Sequence, residues 1–449
     1  MIASGKVTEG LAEWLCSTSY DDLPLEARGK ALDVVFDSVG GMAACSVLPE
    51  VRSIVQFIKE LGGEAQSTII GQRGRVPVVS AAMANGAMAH GAEVDPVHLT
   101  SVGGHVAAGP VPSALSVGQW VEASGRDILR AVVLGYEVGG RLMTIFYRER
   151  DYLTRRFYHT AVAGALSSAV TAALLLGLDR LGMQVALGLA AYQAAGPDNM
   201  TKDPGHMGKT FQVATANRNG TTAALLARKG CHVPLDILDG PLSLFDAFLE
   251  TPDAGAEMMK DLGRYYAITD VMHKRYPAGS PNQTYLQGIF RLLHEHGIGP
   301  EEIHQVEIQI PQRGVHRIPA TRHAAISGEM VCAMALAQGK LDFYQLHDQA
   351  TVASPQVQRM RDRVHFVGRE DWKGMEQGRH AIVSLTTTKG QKLEEEIWHE
   401  PMTQQELKHK FHSLVTPRLG EEKTRRVESL LKGLERAESI KPLMEELEG

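Results

Sequence analysis

The feature that most constrains the fold is the dominance of Ala, Gly, Leu and Val at helical spacing from the start of the chain to about residue 268. Apolar residues that recur every three to four positions predict helices with one buried face. Small residues let neighbouring helices approach closely. This part of the sequence therefore predicts a densely packed helical bundle, with helices over 26–45, 80–93, 128–146, 161–178 and 212–229.

The pattern changes after the Pro- and Gly-rich stretch 276–281. A helical run over 283–296 is followed by a period-two run over 306–310, and two more strand-like runs, 381–388 and 391–398, flank a Lys389-Gly390 turn. From Thr403 onward the chain is again charged and helical. We therefore predict a mainly helical protein with an α+β second domain.

The domain boundaries follow from these changes in pattern. A length of 449 residues exceeds what one ordinary core supports, so two domains are expected. The large all-helical bundle domain is predicted to span residues 1–268, and residues 403–449 either complete it or form a solvated terminal helix. The smaller α+β lid domain is predicted to span 269–402.

Charge and composition limit the classes of partner. A formal net charge of -6 argues against binding to nucleic acid or to an acidic membrane surface, since both attract proteins with an excess of positive charge. The charge therefore favours a small-molecule partner. No apolar run approaches the roughly 20 residues that a membrane span requires. The N-terminus lacks the basic and then apolar pattern of a secretory signal, so a cytoplasmic protein is expected.

The four cysteines lie far apart in the sequence, at Cys16, Cys45, Cys231 and Cys332. Their spacing argues against an iron–sulfur cluster held by closely spaced thiolates, and it fits a reducing compartment.

The stretch from Asn85 to His105 concentrates ionisable groups without any Lys or Arg. A solvated helix face would interleave both signs of charge, whereas a proton-transfer site needs groups of low and intermediate pKa close together. If the helix that starts near Ser80 persists to Glu93, His90 and Glu93 share one face. The ionisable residues of this stretch are His90, Glu93, Asp95, His98 and His105.

Two other kinds of site compete with this interpretation. A metal site is the first, although the spacing H-x2-E-x-D-x2-H-x6-H matches no established metal motif such as H-E-x-x-H. A phosphate loop is the second, suggested by Gly208-Lys209-Thr210. The Walker pattern needs a glycine five residues before Gly208, where this chain has Asp203, so the phosphate loop is rejected.

Cations occur in compact groups elsewhere. Lys202 and Lys209 lie in a turn-rich stretch, and Lys274 and Arg275 lie at the predicted domain junction. Basic groups at element boundaries, opposite a wall of acids and histidines, predict a cleft for a small polycarboxylate. The cations would bind the carboxylates while a base removes a neighbouring proton.

Several blocks of the chain resemble successive blocks of the MmgE/PrpD family, in the same order over most of the sequence. That family includes 2-methylcitrate dehydratase, cis-aconitate decarboxylase and iminodisuccinate epimerase. The blocks are Asn85-Gly86-Ala87-Met88-Ala89-His90-Gly91-Ala92-Glu93-Val94-Asp95, Gly135-Tyr136-Glu137-Val138, Thr201-Lys202 with His206-x-Gly208, Asp239-Gly240-Pro241 and Lys274-Arg275-Tyr276-Pro277.

The resemblance implies a homodimer with a helical domain and an inserted α+β lid, and catalysis with neither a metal nor an organic cofactor. It places Glu93 and Asp95 at the family's acidic positions. The other catalytic positions that it implies are His105, His159, Lys202 and Lys274. The candidate substrate-binding residues are Arg275, Lys209, His98 and Gln283.

The chain departs from the family pattern at several of these blocks. Glu93 stands where Asp is usual, Pro96-Val97 where Asp-Thr is common, Val106 where Pro is usual and Gln283 where a His is expected. These departures leave the substrate open.

The resulting hypothesis is that His105, oriented by Asp95 or Glu93, abstracts a proton alpha to a carboxylate. Lys202 and Lys274 would hold the developing charge, and His159 would act as the opposing acid. A hydro-lyase of the 2-methylcitrate dehydratase type is the first choice, with an epimerase or a decarboxylase of a related acid as the alternatives. A binding protein that has lost its chemistry is the alternative from another class.

Overall fold

The structure is a computed structural model that describes residues 7–149, 156–319, 323–372 and 379–449. It is mainly helical, with a smaller sheet-containing domain, as predicted. In chain order the helices are α1 (Val7–Ser17), α2 (Leu25–Cys45), α3 (Pro49–Leu61), α4 (Val78–Ala89), α5 (Pro110–Trp120), α6 (Gly125–Glu149), α7 (His159–Leu175), α8 (Arg180–Tyr192), α9 (Met207–Arg228), α10 (Leu244–Leu249), α11 (Gln283–His296), α12 (Gly328–Gln338), α13 (Phe343–Leu346), α14 (Gln349–Val352), α15 (Pro355–Arg361), α16 (Gln404–Leu419), α17 (Glu421–Lys432) and α18 (Lys441–Glu446). The strands are β1 (Ser67–Thr68), β2 (Arg75–Val76), β3 (Val97–His98), β4 (Val271–Met272), β5 (Ile303–Pro311), β6 (Val364–Arg369), β7 (His380–Thr387) and β8 (Lys392–Trp398).

The bundle is organised around α7 and α9, which pack against each other and against α4, α6 and α8. Small residues make this packing close. A Cβ added at Gly220 of α9 would lie 2.4 Å from the carbonyl oxygen of Ala165 in α7. The Ala- and Gly-rich sequence thus produces the dense helical packing that it predicts.

The lid has a four-stranded sheet in the order β6-β5-β7-β8, in which β5 runs parallel to β6 and antiparallel to β7. The predicted hairpin forms as β7 and β8, with Ala381 paired to Ile397. Helix α11 covers the sheet, and a hydrophobic core separate from that of the bundle runs from Ala278 to Ile397.

The C-terminal segment returns to the bundle. Helix α16 packs against α2, and Phe411 and Leu414 join the bundle core. Strand β3 pairs antiparallel with β4, with Val97 opposite Met272. This pairing brings the acidic and histidine-rich stretch beside the chain that carries Lys274.

Among the described residues, no single helix is both long enough and apolar enough for a membrane crossing; α2 and α3 reach that composition only as a pair bent by 86°.

Candidate active site

The acidic and histidine-rich stretch begins where α4 ends. The helix stops at Ala89, and His90 caps it with a φ of -134°, so the expected continuation to Glu93 is wrong. Gly91 lies too close to the backbone of Ala87 and to Val51 for a side chain to fit easily, since an added Cβ would lie 3.0 and 3.1 Å from them. The chain then turns through Glu93 and Asp95, which are both buried.

Asp95 is the centre of a buried hydrogen-bond network. Its Oδ2 lies 2.7 Å from Nδ1 of His105 and 2.9 Å from Nδ1 of His90. The two imidazole rings meet edge to face, with their centroids 4.1 Å apart. Nε2 of His90 lies 2.7 Å from the hydroxyl of Tyr158. The predicted meeting of Asp95 with His105 is therefore present in the structure, together with a second imidazole and a phenol.

The ionisation of Asp95 fixes the protons of both rings. Burial raises the pKa of Asp95, but His105 and Lys274 lower it more, and the pKa lies well below its usual range. An ionised carboxylate only accepts hydrogen bonds, so both Nδ1 atoms carry the proton. Burial lowers the pKa of His90 to about 3 and that of His105 to about 4, and both rings are neutral at pH 7. Nε2 of His105 is therefore an unprotonated base, and Tyr158 donates to Nε2 of His90.

Glu93 lies between two ammonium groups. Lys274 donates to its Oε2 at 2.8 Å and also to Oδ1 of Asp95 at 3.3 Å, while Lys209 donates to its Oε1. Nε2 of His206 lies 3.4 Å from the same Oε1. Two buried carboxylates thus face two buried ammonium groups.

The two lysines differ in their electrostatics. Burial lowers the pKa of Lys274, but Glu93 and Asp95 raise it more, and the net shift is upward. Burial also lowers the pKa of Lys209, and the attraction of Glu93 does not fully offset this. Burial raises the pKa of Glu93, yet Lys209 and Lys274 hold it well below its usual range. Lys274 is therefore the more firmly held cation.

Four residues predicted for the site lie elsewhere. Lys202 is exposed at the end of a 3-10 turn, Asp198–Lys202, and the buried lysine of that stretch is Lys209. Arg275 turns away from Lys274 and pairs with Glu406 of α16.

The other two serve local structure. The amide of Gln283 bonds the backbone of Tyr276 and Ala278, which braces the turn after Lys274. His98 lies on β3, with Nδ1 3.0 Å from Ser101 Oγ and its ring against Tyr136. Its neighbours are thus Ser101, Tyr136 and Asp270, whose Oδ2 lies 4.0 Å from Nε2, rather than Asp95.

His159 is the first residue of α7 and is buried beside Tyr158, with ring centroids 5.9 Å apart. It adjoins the network on the side of the phenol. Sequence reasoning missed Tyr158 as a site residue and also missed His323 in the lid. The only sequence signal for Tyr158 was its position next to His159, and His323 carried none.

The metal alternative has a donor set in the structure. His90, Asp95 and His105 offer ligand atoms that all lie within 4.8 Å of one another. Against this alternative, one oxygen of Asp95 already accepts from both imidazoles, and the ammonium group of Lys274 lies 3.3 Å from the other oxygen. A divalent ion here would have to displace both hydrogen bonds beside a fixed positive charge. The expectation of a site without metal stays a prediction.

The fold and the site together define a two-domain protein with a buried acid–base centre where the bundle meets the chain leading into the lid. Family models agree with this architecture: the MmgE/PrpD N-terminal domain matches residues 9–257, and the MmgE/PrpD C-terminal domain matches residues 276–436. The chain belongs to the MmgE/PrpD family.

Relatives of known name are similar over nearly the whole chain. A cis-aconitate decarboxylase of Aspergillus terreus is 26% identical over 99% of this chain and 96% of its own length. The mouse (Mus musculus) cis-aconitate decarboxylase is 26% identical over 97% and 91% of the two chains. The human (Homo sapiens) cis-aconitate decarboxylase is 24% identical over 99% and 95%.

Proposed function

We propose that this protein is a lyase that acts on a small di- or tricarboxylate by moving a proton at the carbon next to a carboxylate, with neither a metal nor an organic cofactor. The contact of 2.7 Å between Asp95 and Nδ1 of His105 carries the proposal. It orients the ring and leaves the lone pair on Nε2, which general acid–base catalysis requires. Lys209 and Lys274 supply fixed positive charge beside it.

Decarboxylation of an acid of the cis-aconitate type is the first candidate, because the relatives carry that name. In this reaction the carboxylate on the saturated carbon leaves as carbon dioxide. Its bonding pair forms a new carbon–carbon double bond, and the original double bond takes a proton at its far carbon. His105 in its protonated form would deliver that proton, and the two ammonium groups would hold the remaining carboxylates.

Dehydration, the type of reaction catalysed by 2-methylcitrate dehydratase, is the second candidate. The low pKa of His105, about 4, favours it, because the resting imidazole is a base and not an acid. The base would take the proton alpha to a carboxylate, and the hydroxide on the neighbouring carbon would leave. Return of the proton to the opposite face of the same carbon would instead give an epimerase.

Proton NMR in deuterium oxide tests the proposal and separates the candidates. The purified protein is incubated with cis-aconitate and with a panel of citrate-like and succinate-like acids. Decarboxylation gives a product one carboxylate shorter with deuterium at one carbon, dehydration gives an alkene, and epimerisation gives exchange without loss of a group. We expect His105→Gln to lower the rate by about 10²- to 10⁴-fold, and His304→Gln, an exposed change on β5, to have no effect.

Two results would count against the proposal. The first is the absence of any exchange or product with every acid, which would favour a binding protein without chemistry. The second is a stoichiometric metal ion in the purified protein whose removal by a chelator abolishes turnover.

The pH dependence of kcat/KM gives a second discriminator. This parameter reports the ionisation of the enzyme before substrate binds. A reaction that needs neutral His105 gains rate as the pH rises through about 4 and is then constant. A reaction that needs protonated His105 loses rate as the pH rises above the same value.

A further inference from the structure

Three histidines form a column that runs from Glu93 into the lid; we call it the histidine column. His206 belongs to the bundle, and His323 and His347 belong to the lid. The ring centroids of His206 and His323 are 5.0 Å apart, and those of His323 and His347 are 5.5 Å apart. Since Nε2 of His206 lies 3.4 Å from Glu93, the column connects the lid to the charged centre of the site.

The first ring of the column is held in place by an unusual backbone. His206 has a φ of 64°, in the left-handed region, just before α9 begins. Non-glycine residues adopt this region at a cost of about 1 kcal/mol or more, and such residues cluster at functional sites. The ring is buried, and its Nδ1 lies 3.5 Å from the hydroxyl of Thr210 one turn along the helix. The turn therefore directs the imidazole at Glu93.

The second ring presents a hydrogen-bond donor. Nδ1 of His323 accepts from the backbone N–H of Ala325 at 3.3 Å, so the proton of the neutral ring is on Nε2. Burial lowers the pKa of His323 to about 2, with smaller contributions from His206 and His347, and the ring is neutral at pH 7. Within the described parts of the chain, no residue accepts a hydrogen bond from this Nε2.

The charges of the site show why a polycarboxylate needs such a donor. Glu93 and Asp95 together balance Lys209 and Lys274, and the neighbouring imidazoles are neutral. A substrate with several carboxylates shares those two ammonium groups with the protein's own acids. Next to Glu93 on the lid side lie His206 and then His323, where a remaining carboxylate would meet a neutral donor.

We propose that His323 is a substrate-binding residue carried by the lid, which donates its Nε2–H to the substrate carboxylate farthest from the reacting carbon. The inference rests on the proposed function, since it assumes a substrate with at least two carboxylates. His323 would thus select substrates that carry at least two carboxylates. The third ring has a different role: Nδ1 of His347 bonds the carbonyl of Phe343 at 2.8 Å, and its ring packs against that side chain at 4.4 Å.

Binding measurements test this role without requiring turnover. Isothermal titration calorimetry compares His323→Ala, His323→Gln and the control His347→Gln with the unaltered protein, using cis-aconitate, tricarballylate, succinate and acetate as ligands. Loss of one hydrogen bond to a charged group corresponds to about 10- to 100-fold in affinity. We expect His323→Ala to weaken the di- and tricarboxylates by that factor and to leave acetate unchanged. Glutamine keeps a donor near the position of Nε2 and should restore much of the affinity, and His347→Gln should bind like the unaltered protein.

Histidine-labelled NMR tests the contact in the unaltered protein, so this result does not depend on whether His323→Ala folds. The unaltered protein labelled at its imidazole carbons should show one resonance, absent from His323→Gln, that shifts when tricarballylate is added. Where an acid is turned over, His323→Ala should raise KM more than it lowers kcat.

The outcomes separate this inference from the proposed function. Equal affinity of unaltered protein and folded His323→Ala for every acid overturns the inference, even if the protein is an active lyase. An equal loss in His347→Gln also overturns it, because lid packing would then explain the effect. Weaker binding by His323→Ala in a protein that transforms none of the acids supports the inference and overturns the proposed lyase. Failure of the unaltered protein to bind any acid overturns both.

Discussion

Lys274 is fully buried, and its ammonium group bonds the carboxylates of both Glu93 and Asp95. Lys209 contacts Glu93 and keeps 10% of its side chain exposed. These two lysines therefore contribute unequally to stability, because removing a cation from a buried pair leaves an uncompensated charge. The difference can be measured.

We expect Lys274→Met to lower the free energy of unfolding by about 3 to 5 kcal/mol at pH 7. Lys209→Met should cost less, since Lys274 still compensates Glu93. The pKa values of Glu93 and Asp95 are depressed in the folded protein, so the stability that they contribute is present above their ordinary values and is lost as the pH falls. The penalty of Lys274→Met should therefore stay constant above the ordinary pKa values of 4.5 for Glu93 and 3.8 for Asp95, and shrink as the pH falls below them. Urea unfolding at several pH values measures it, and equal penalties for the two lysines would refute the unequal roles.

The same lysines show where sequence reasoning ends for individual residues. The sequence shows that basic groups flank the acidic stretch, and it identified Asp95, His105 and Lys274, which the structure brings together. It did not show whether Lys202 or Lys209 faces Glu93, because the left-handed turn at His206 decides which side chain points inward. Neighbouring Lys274 and Arg275 contact different partners: Lys274 bonds Glu93 and Asp95, and Arg275 pairs with Glu406, a residue 131 positions away.

Helices α7 and α9 meet at two glycines whose surroundings can be compared by matched substitutions. A Cβ at Gly220 would meet the backbone of Ala165 at 2.4 Å and that of Ala169 at 2.7 Å. A Cβ at Gly164, on the facing helix, would meet Ala216 at an ordinary 3.5 Å. The two glycines thus lie in the same interface but differ in the space around them.

We expect Gly220→Ala to lower the free energy of unfolding by about 1 to 3 kcal/mol, because the two helices must separate. Gly164→Ala should leave stability unchanged or raise it by up to about 1 kcal/mol through helix propensity. Denaturant titration followed by circular dichroism measures both. Destabilisation of the same size in the two variants would show that the interface does not depend on close approach at Gly220.

Strongly periodic elements were predictable from the sequence, and short ones were not. Helix α11 was predicted with its observed bounds, because its apolar residues repeat cleanly and Gly297 ends it in the left-handed region. Strand β6 gave no clear signal, since its pattern of burial does not alternate regularly. The end of α4 was misjudged by four residues, because its apolar pattern continues past the point where the close approach of Gly91 stops the helix.

The assembly of the site depends on contacts between segments that are hundreds of residues apart. The pairing of β3 with β4 joins residues 97 and 272, and no local pattern in the chain predicts it. A second such contact comes from the C-terminal segment. Lys410 of α16 donates to the carbonyl of Val94 at 2.7 Å and lies 2.6 Å from Asp37 of α2. Asp37 in turn lies 2.7 Å from Nδ1 of His273, the residue before Lys274.

These contacts make α16 a support for the candidate active site. Val94 lies between Glu93 and Asp95, so Lys410 restrains the backbone beside both buried carboxylates. Burial raises the pKa of Asp37, but Lys410 and His273 lower it more, and the net shift is downward. Loss of Lys410 therefore leaves a buried carboxylate short of one partner and releases the loop that carries Glu93 and Asp95.

We expect Lys410→Met to lower the free energy of unfolding by about 3 to 5 kcal/mol and to lower kcat under conditions where the variant is still folded. Lys408 on the same helix is half exposed, and its partner Glu428 also pairs with Lys432 and His412. Lys408→Met should therefore cost only about 0 to 1 kcal/mol and leave kcat unchanged. Adding Asp37→Asn to Lys410→Met should recover part of the stability, because it removes the buried charge. The same addition should not recover kcat, because Val94 stays unrestrained. Recovery of both stability and kcat by the double variant would show that Lys410 acts on Asp37 alone. Equal behaviour of Lys410→Met and Lys408→Met would show that α16 does not support the site.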